Sequence, residues 1–235
     1  MRGLNHCDFD APFRYLCLVA TRNFIVLGAG GHAREAAWLA QHSAAADELS
    51  QVCFAVDDGT EGGFLEGLPV LALNSAASAF PDALFVAGIG AAVNRRSAVL
   101  AAESAGLRPT TLVHRSAQVA PDAKLGAGVL VFANAIVSVG VSIGRHSHLN
   151  FAASVSHDCV IGAYATLSPG ARLAGNVEIS DSVLIGVGAS VLHGLPEKRL
   201  RIGQAATIGA QACVLADVPA GAVVAGVPAK PLVNR

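Results

Sequence analysis

The C-terminal half of the chain carries an aliphatic residue at every sixth position. Thirteen consecutive positions follow this period: Val119, Leu125, Val131, Val137, Ile143, Leu149, Val155, Ile161, Leu167, Leu173, Ile179, Ile185 and Val191. The residue after each is mostly small or polar, and the residue two places before it is mostly Ala or Val. The charged segment 194–201 interrupts the period, which then resumes at Ile202, Ile208 and Val214.

A six-residue apolar period fits neither an α-helix, which repeats about every 3.6 residues, nor a simple amphipathic strand, which repeats about every 2. It suits a solenoid in which each hexapeptide forms one short side and turns a corner, with three hexapeptides to a coil. The periodic residues are therefore predicted to point into the tube and form its core. Segment 194–201 is predicted to leave a corner as a loop, either a plain surface loop or one that borders a ligand.

The N-terminal half follows a different pattern. An apolar run at 24–27, a glycine turn at 28–32 and helical apolar spacing at 33–42 predict a strand, a loop and a helix. Further strands are predicted at 51–56 and 83–87, followed by a helix at about 93–104. A βαβ unit of about 80 residues corresponds to one mononucleotide-binding half of a doubly wound, Rossmann-like fold.

These patterns divide the chain into three parts. Residues 1–23 show no clear period and form an extension of unknown role, residues 24–108 form the α/β domain, and residues 109–235 form the solenoid with a C-terminal tail.

Composition narrows the possible partners. The formal net charge is −1 and only 14% of the residues are charged, so the chain offers no basic field for nucleic acid. No uninterrupted apolar run reaches the length of a bilayer and the first residues do not resemble a secretory signal, so no membrane contact and a cytoplasmic location are expected. Five widely separated cysteines without a C-x-x-C pair argue against a cysteine metal or redox site.

Two segments carry candidate chemistry. Within the solenoid, His157 is followed by Asp158; histidine is the natural general base near neutral pH, and a carboxylate can hold its tautomer. In the α/β domain, the turn from Gly28 to Ala33 reads G-x-G-x-x-A between a strand and a helix, which suits phosphates at a helix N-terminus. Asp57, at the end of the second strand, could bind a ribose or a base, so NAD is an alternative ligand.

Several motifs resemble one known family. The segments GAGGHAREA at the first turn, LNFAASVSHDCVIG around His157, and GVPAK near the C-terminus, together with the hexapeptide period, resemble the sugar O-acyltransferase family. This family contains sialic acid O-acetyltransferases and the UDP-4-amino-sugar N-acetyltransferases of bacterial glycan pathways. The resemblance covers about residues 24–232 and implies a left-handed parallel β-helix, a homotrimer and acetyl-CoA as co-substrate without a metal.

The resemblance also implies residue roles. His157 would be the general base and Asp158 would raise its basicity. The nucleotide sugar would contact a set of residues in the α/β domain, namely Gly30, Gly31, His32, Asp57 and Asp58. Acetyl-CoA would lie along the solenoid at Gly175; a second histidine often joins that site in the family, but here the position is Thr166, which can donate a hydrogen bond but carries no charge.

The leading prediction is N-acetylation of a UDP-linked amino sugar by direct attack on acetyl-CoA, with O-acetylation of a sialic-acid-type sugar as the alternative. A non-catalytic trimeric scaffold and a zinc enzyme resembling γ-class carbonic anhydrases are further alternatives. The zinc ligands would be His146, His148 and His157, but the nine residues from His148 to His157 do not stack these side chains on one side. Solvent-facing corners are the simpler explanation for His146 and His148.

Overall fold

The computed structural model of the protein describes residues 21–57 and 59–232. The extension predicted at 1–23 therefore lies, apart from residues 21–23, outside the described residues. No helix in the described part of the chain is both long enough and apolar enough to span a membrane.

An α/β domain occupies the N-terminal part. Its elements are β1 (Arg22–Leu27), α1 (Gly31–Gln41), a 3-10 turn (Ala46–Glu48), β2 (Leu49–Val56), β3 (Phe64–Leu65), β4 (Leu68–Ala72), α2 (Leu73–Ala79), β5 (Leu84–Ala87), α3 (Ala92–Ser104) and β6 (Arg108–Pro109). The sheet has the order β3-β4-β2-β1-β5-β6, parallel except for the β3–β4 hairpin. The β3–β4 hairpin and helix α2 were not predicted from the sequence.

Alternation along the central strand explains the layers of this domain. Phe24 and Val26 point to one side of the sheet and pack with helix α1, whereas Ile25 and Leu27 point to the other side and pack with α2 and α3. Successive strand residues face opposite sides, so a fully apolar strand needs a cover on both. The predicted Rossmann-like half domain is confirmed.

The remaining strands form a solenoid, in which all are parallel except the last. They are β7 (Leu112–Val113), β8 (Gln118–Val119), β9 (Lys124–Leu125), β10 (Leu130–Val131), β11 (Ile136–Val137), β12 (Ser142–Ile143), β13 (His148–Leu149), β14 (Ser154–Val155), β15 (Val160–Ile161), β16 (Thr166–Leu167), β17 (Arg172–Leu173), β18 (Val177–Ile179), β19 (Leu184–Ile185), β20 (Ser190–Val191), β21 (Leu200–Ile202), β22 (Thr207–Ile208), β23 (Cys213–Val214), β24 (Val223–Ala225) and β25 (Lys230–Pro231). Up to the break, each strand pairs with the one 18 residues further on, for example Leu130 with His148.

Three sheets form the three sides of this left-handed β-helix. Face one contains β7, β10, β13, β16, β19, β22 and β24, with β25 antiparallel at its end; face two contains β8, β11, β14, β17, β20 and β23; face three contains β9, β12, β15, β18 and β21. The periodic residues from Val131 to Val214 are all at most 3% exposed, which confirms the predicted core.

The α/β domain lies on face one. Leu112, Leu130 and Phe132 join the core on the α1 side of the sheet, and Tyr164 joins the core on the α2 and α3 side. A three-sided prism places the edge between faces two and three opposite face one. The α/β domain and that edge are therefore on opposite sides of the solenoid.

Candidate active site

His157 and Asp158 lie on the edge between faces two and three, in the corner that follows β14. The Nδ1 atom of His157 is 2.9 Å from Oδ2 of Asp158, and the side chains are 54% and 56% exposed. Because a carboxylate only accepts hydrogen bonds, this contact places a proton on Nδ1, so that in the neutral ring Nε2 carries the lone pair. The two side chains are thus paired as the sequence suggested and the His157 ring is open to solvent, whereas the roles of base and orienting carboxylate stay predictions.

Neighbouring coils hold this corner from both sides. The Asp158 amide donates to the carbonyl of Val139 at 3.1 Å, and the His157 carbonyl accepts from the Asn176 amide at 3.0 Å. The ring of His157 stands over Gly175, where a Cβ atom would lie 2.4 Å from both Cε1 and Nε2. Glycine at this position is therefore required by the histidine ring, whether or not its backbone also contacts a ligand.

The interruption of the hexapeptide period projects from the same edge. It leaves after β20, where the Gly194 amide donates to the carbonyl of Gly175 at 2.9 Å, and returns at β21. Lys198 and Arg199 belong to this loop and line a shallow cavity of about 410 Å³. The loop thus begins beside Gly175, and its predicted contact with a ligand stays a prediction.

A cleft opens at the carboxyl ends of the parallel strands in the α/β domain. It has a volume of about 310 Å³, and its lining includes Gly28, Asp57, Thr60, Asn94 and Ser97. Open α/β sheets bind ligands at this end of their strands. The structure brings the predicted Asp57 into the cleft, whereas the predicted Asp58 lies outside the described residues.

The predicted glycine turn separates this cleft from a second one. Gly30 precedes α1 without a side-chain cap, and Gly31 lines the second cleft, which has a volume of about 580 Å³. A Cβ atom at Gly30 or Gly31 would meet no protein atom of the described residues within 4 Å. Contacts within the protein therefore do not explain why glycine occupies these two positions. Glycine is expected there if a ligand approaches the backbone closely.

His32 joins the turn to the β-helix. Its Nδ1 lies 2.9 Å from Oε2 of Glu35, and its Nε2 lies 3.0 Å from Nδ1 of His148 on face one. Arg95 of α3 approaches the same His148 atom at 3.2 Å. His148 and Arg95 are fully buried; Arg95 was not predicted as a site residue, and His148 was considered only as a zinc ligand. The sequence carried one signal for Arg95: it shares helical spacing with Val99 and Ala102, which predicts that it lies on the buried side of α3.

Burial dominates the electrostatics of this junction. It is the largest cause that lowers the pKa of His148 well below its usual range, and the charge of Arg95 acts in the same direction. Burial also lowers the pKa of Arg95 to about 10, so the guanidinium remains charged at neutral pH. A neutral imidazole therefore lies against a buried cation at the domain boundary.

The interpretation of His146 and His148 as solvent-facing corners is wrong. Both are fully buried because the α/β domain covers face one, and the His146 ring stacks between Phe85 and Tyr164. His157 lies on the opposite edge, so the three histidines considered for zinc do not converge within one chain. Among the described residues, no group of three His, Cys, Asp or Glu side chains could hold a metal ion.

Thr166 occupies the same buried junction. Its Oγ1 accepts a hydrogen bond from Nη2 of Arg95 at 2.9 Å, and the residue is 9% exposed. The structure thus gives Thr166 a partner inside the protein, and its predicted contact with acetyl-CoA stays a prediction.

Comparison with known proteins places these features in context. Residues 23–100 match the family model described as the PglD N-terminal domain. GDP-perosamine N-acetyltransferase of Escherichia coli is 36% identical over 125 residues, which are 53% of this chain and 57% of that protein. A 2,3,4,5-tetrahydropyridine-2,6-dicarboxylate N-acetyltransferase of Staphylococcus aureus is 46% identical over 77 residues, 29% of this chain and 30% of that protein. The chain thus matches less than two thirds of the length of either relative.

Solved structures match over almost the whole chain. WeeI from Acinetobacter baumannii is 32% identical, with a TM-score of 0.80 over 90% of this chain and 100% of that chain. The acetyltransferase domain of PglB from Neisseria gonorrhoeae, in complex with acetyl coenzyme A, is 34% identical, with a TM-score of 0.79 over 91% and 100%. A His-to-Asn mutant of perosamine N-acetyltransferase from Caulobacter crescentus, in complex with CoA and GDP-perosamine, is 28% identical, with a TM-score of 0.82 over 90% of this chain and 97% of that chain.

Proposed function

Because the chain belongs to the sugar acetyltransferases of the hexapeptide-repeat family, we propose that it transfers an acetyl group from acetyl-CoA to the amine of a nucleotide-linked amino sugar. The observation that carries the proposal is the His157–Asp158 pair, an oriented imidazole with a free Nε2 on an open edge of the solenoid. A non-catalytic scaffold has no need of this arrangement.

The chemistry needs only a positioned nucleophile and a base. The amine nitrogen of the sugar attacks the thioester carbonyl carbon, and Nε2 of His157 accepts the proton that the nitrogen loses. The tetrahedral intermediate then collapses, the carbon–sulfur bond breaks, and the CoA thiolate takes up a proton. Asp158 stabilises the imidazolium that forms between these two proton transfers. Acetyl transfer by direct attack requires no covalent enzyme intermediate.

The α/β domain supplies the acceptor site. The cleft at Asp57 and the open glycine turn at Gly30 and Gly31 provide a carboxylate for a hydroxyl or base and backbone amides for phosphates. The E. coli and C. crescentus relatives are named for GDP-perosamine, an amino sugar on a guanine nucleotide. We therefore extend the predicted UDP-linked acceptor to nucleotide-linked amino sugars of either base, and we favour the amine over a hydroxyl as the acetylated group.

The two halves of the reaction lie on opposite sides of one chain. The cleft belongs to the domain on face one, whereas His157 lies on the edge between faces two and three. A sugar held in the cleft would have to pass around the solenoid to reach His157 of its own copy. We therefore propose that the active site forms between copies of a homotrimer, with the cleft of one copy facing the His157 edge of another.

A thiol-release assay tests the proposal. Acetyl-CoA is incubated with a panel of UDP- and GDP-linked amino sugars and with free sialic acids, and wild type is compared with His157→Ala. We expect thiol release with a nucleotide amino sugar and a loss of about 100-fold or more in the variant. Release only with free sialic acids would replace the N-acetyl proposal by O-acetylation, and equal rates for both proteins would remove His157 as the base.

A further inference from the structure

A buried polar chain crosses the domain boundary directly behind the glycine turn. It runs from Glu35 to His32, both on α1, then to His148 on β13 and finally to Arg95 on α3, with successive contacts of 2.9, 3.0 and 3.2 Å. Of these four side chains, only Glu35 and His32 are accessible to solvent, since His148 and Arg95 are fully buried. The turn proposed to meet the nucleotide sugar is thus connected to the β-helix through a line of side-chain contacts.

Arg95 anchors this line of polar side chains through hydrogen bonds to both domains. Its Nη1 donates to the carbonyls of Ile89 and Gly90 at 2.9 and 3.0 Å, and its Nη2 donates to the carbonyl of Tyr164 and to Thr166. These acceptors come from the loop after β5 and from the β-helix, so the guanidinium ties the two domains together. No carboxylate of the described residues contacts it, and its charge therefore acts on His148 without a counterion.

His148 occupies a position where the fold alone favours an apolar residue. Its equivalents in the two preceding coils of face one are Leu112 and Leu130, both fully buried against the α/β domain. Among the described residues, Nε2 of His148 has no hydrogen-bond partner of good geometry, with only the Ala87 backbone near the ring, and Nε of Arg95 has none. Unpartnered buried polar atoms destabilise a fold, so a leucine at 148 would suit the packing better. The histidine needs another explanation.

We propose that His148, backed by Arg95, is a positioning residue that fixes the imidazole of His32 at the mouth of the acceptor site. Because Arg95 only donates, Nδ1 of His148 is the acceptor and Nε2 of His32 donates to it, while Nδ1 of His32 donates to Glu35, so the ring is held at both ends. A ring held in this way presents a fixed face to a bound nucleotide sugar without loss of side-chain freedom on binding. The inference rests on the proposed function for the identity of that ligand.

The first test is the kinetics of His148→Leu. We expect KM for the nucleotide amino sugar to rise about tenfold, the usual effect of one lost hydrogen bond, with KM for acetyl-CoA unchanged. Thermal stability is expected to stay equal or rise, because an unpartnered buried atom is removed. The conservative His148→Gln keeps a polar group and is expected to recover part of the affinity. Leu130→Val, one coil away, serves as the matched control: it is expected to lower Tm and leave both KM values unchanged.

A double-mutant cycle separates positioning from a general structural effect. If His148 acts through His32, then His148→Leu has no further effect on KM once His32→Ala is present. If the two effects multiply instead, His148 acts independently of His32 and the proposal is refuted.

Imidazole nitrogen NMR provides a readout that does not need turnover. In protein labelled with ¹⁵N-histidine, the His32 signals, assigned from their loss in His32→Ala, are expected to report one fixed hydrogen-bonded state of both ring nitrogens in wild type and an exchange-averaged state in His148→Leu. This change without turnover on any nucleotide amino sugar would uphold the positioning role and refute the proposed function. Unchanged His32 signals with normal turnover would uphold the function and refute the positioning role.

Discussion

A single methyl group at Gly175 should disable His157 without unfolding the protein. In Gly175→Ala the new Cβ atom would lie 2.4 Å from Cε1 and Nε2 of the ring, whereas ordinary contacts begin at 3.4 Å. The ring must therefore retreat by about 1 Å, and a displacement of that size can reduce a reaction rate by about 100-fold. Because the side chain is 54% exposed, it can move into solvent, and the fold loses little.

The assay is acetyl transfer to the best acceptor, with thermal unfolding measured in parallel. We expect kcat to fall about 100-fold, with Tm close to wild type. Gly170→Ala is the control: it lies in another corner of the β-helix with a φ of +69°, and its nearest neighbour atom is 3.9 Å away. This variant should lose about 1 kcal/mol of stability and keep its kcat. An unchanged kcat in Gly175→Ala would refute the assignment of the base to this ring position.

Three further predictions concern the base, the core and pH. Asp158→Asn should lower kcat by about tenfold or more, measured by thiol release, because the amide no longer fixes the tautomer of His157; an unchanged rate would contradict its orienting role. In urea melts, Val155→Ala should lower the free energy of unfolding by about 2–3 kcal/mol, whereas the outward Ser154→Ala should have little effect; equal losses would contradict the inward assignment. Burial lowers the pKa of His146 from 6.5 to about 4. Below pH 6.5 the unfolded state binds a proton at His146 that the folded state does not bind, so the free energy of unfolding should fall by up to about 3 kcal/mol between pH 6.5 and 4. In urea melts, His146→Phe should reduce this dependence on pH.

The solenoid could be predicted from the sequence because its core repeats. Each coil places one branched side chain on each side, so the period of six is visible without any knowledge of tertiary contacts, and every periodic residue from Val131 onward is buried. The strand, glycine turn and helix at the start of the α/β domain could be predicted for a similar reason, since each part has its own local signature. The pairing of His157 with Asp158 could also be predicted, because the two residues are adjacent in sequence.

The domain junction could not be predicted. His148 and Arg95 are 53 residues apart, and their contact depends on which side of the solenoid carries the α/β domain. A hexapeptide period fixes which residues point outward but does not tell which outward face is covered. For the same reason His146 and His148 were expected at solvent-facing corners and proved to be buried.

Mixing of two inactive variants tests most directly whether the acceptor cleft and the base come from different copies. His157→Ala removes the base, and Ser97→Trp fills the cleft from its exposed rim on α3. In a mixed homotrimer with sites between copies, every trimer that contains both variants regains one complete site, so an equal mixture should recover about one quarter of wild-type acetyl transfer. A mixture as inactive as its two components, although mixed trimers form, would contradict the shared site and place the cleft and His157 of one copy in the same reaction.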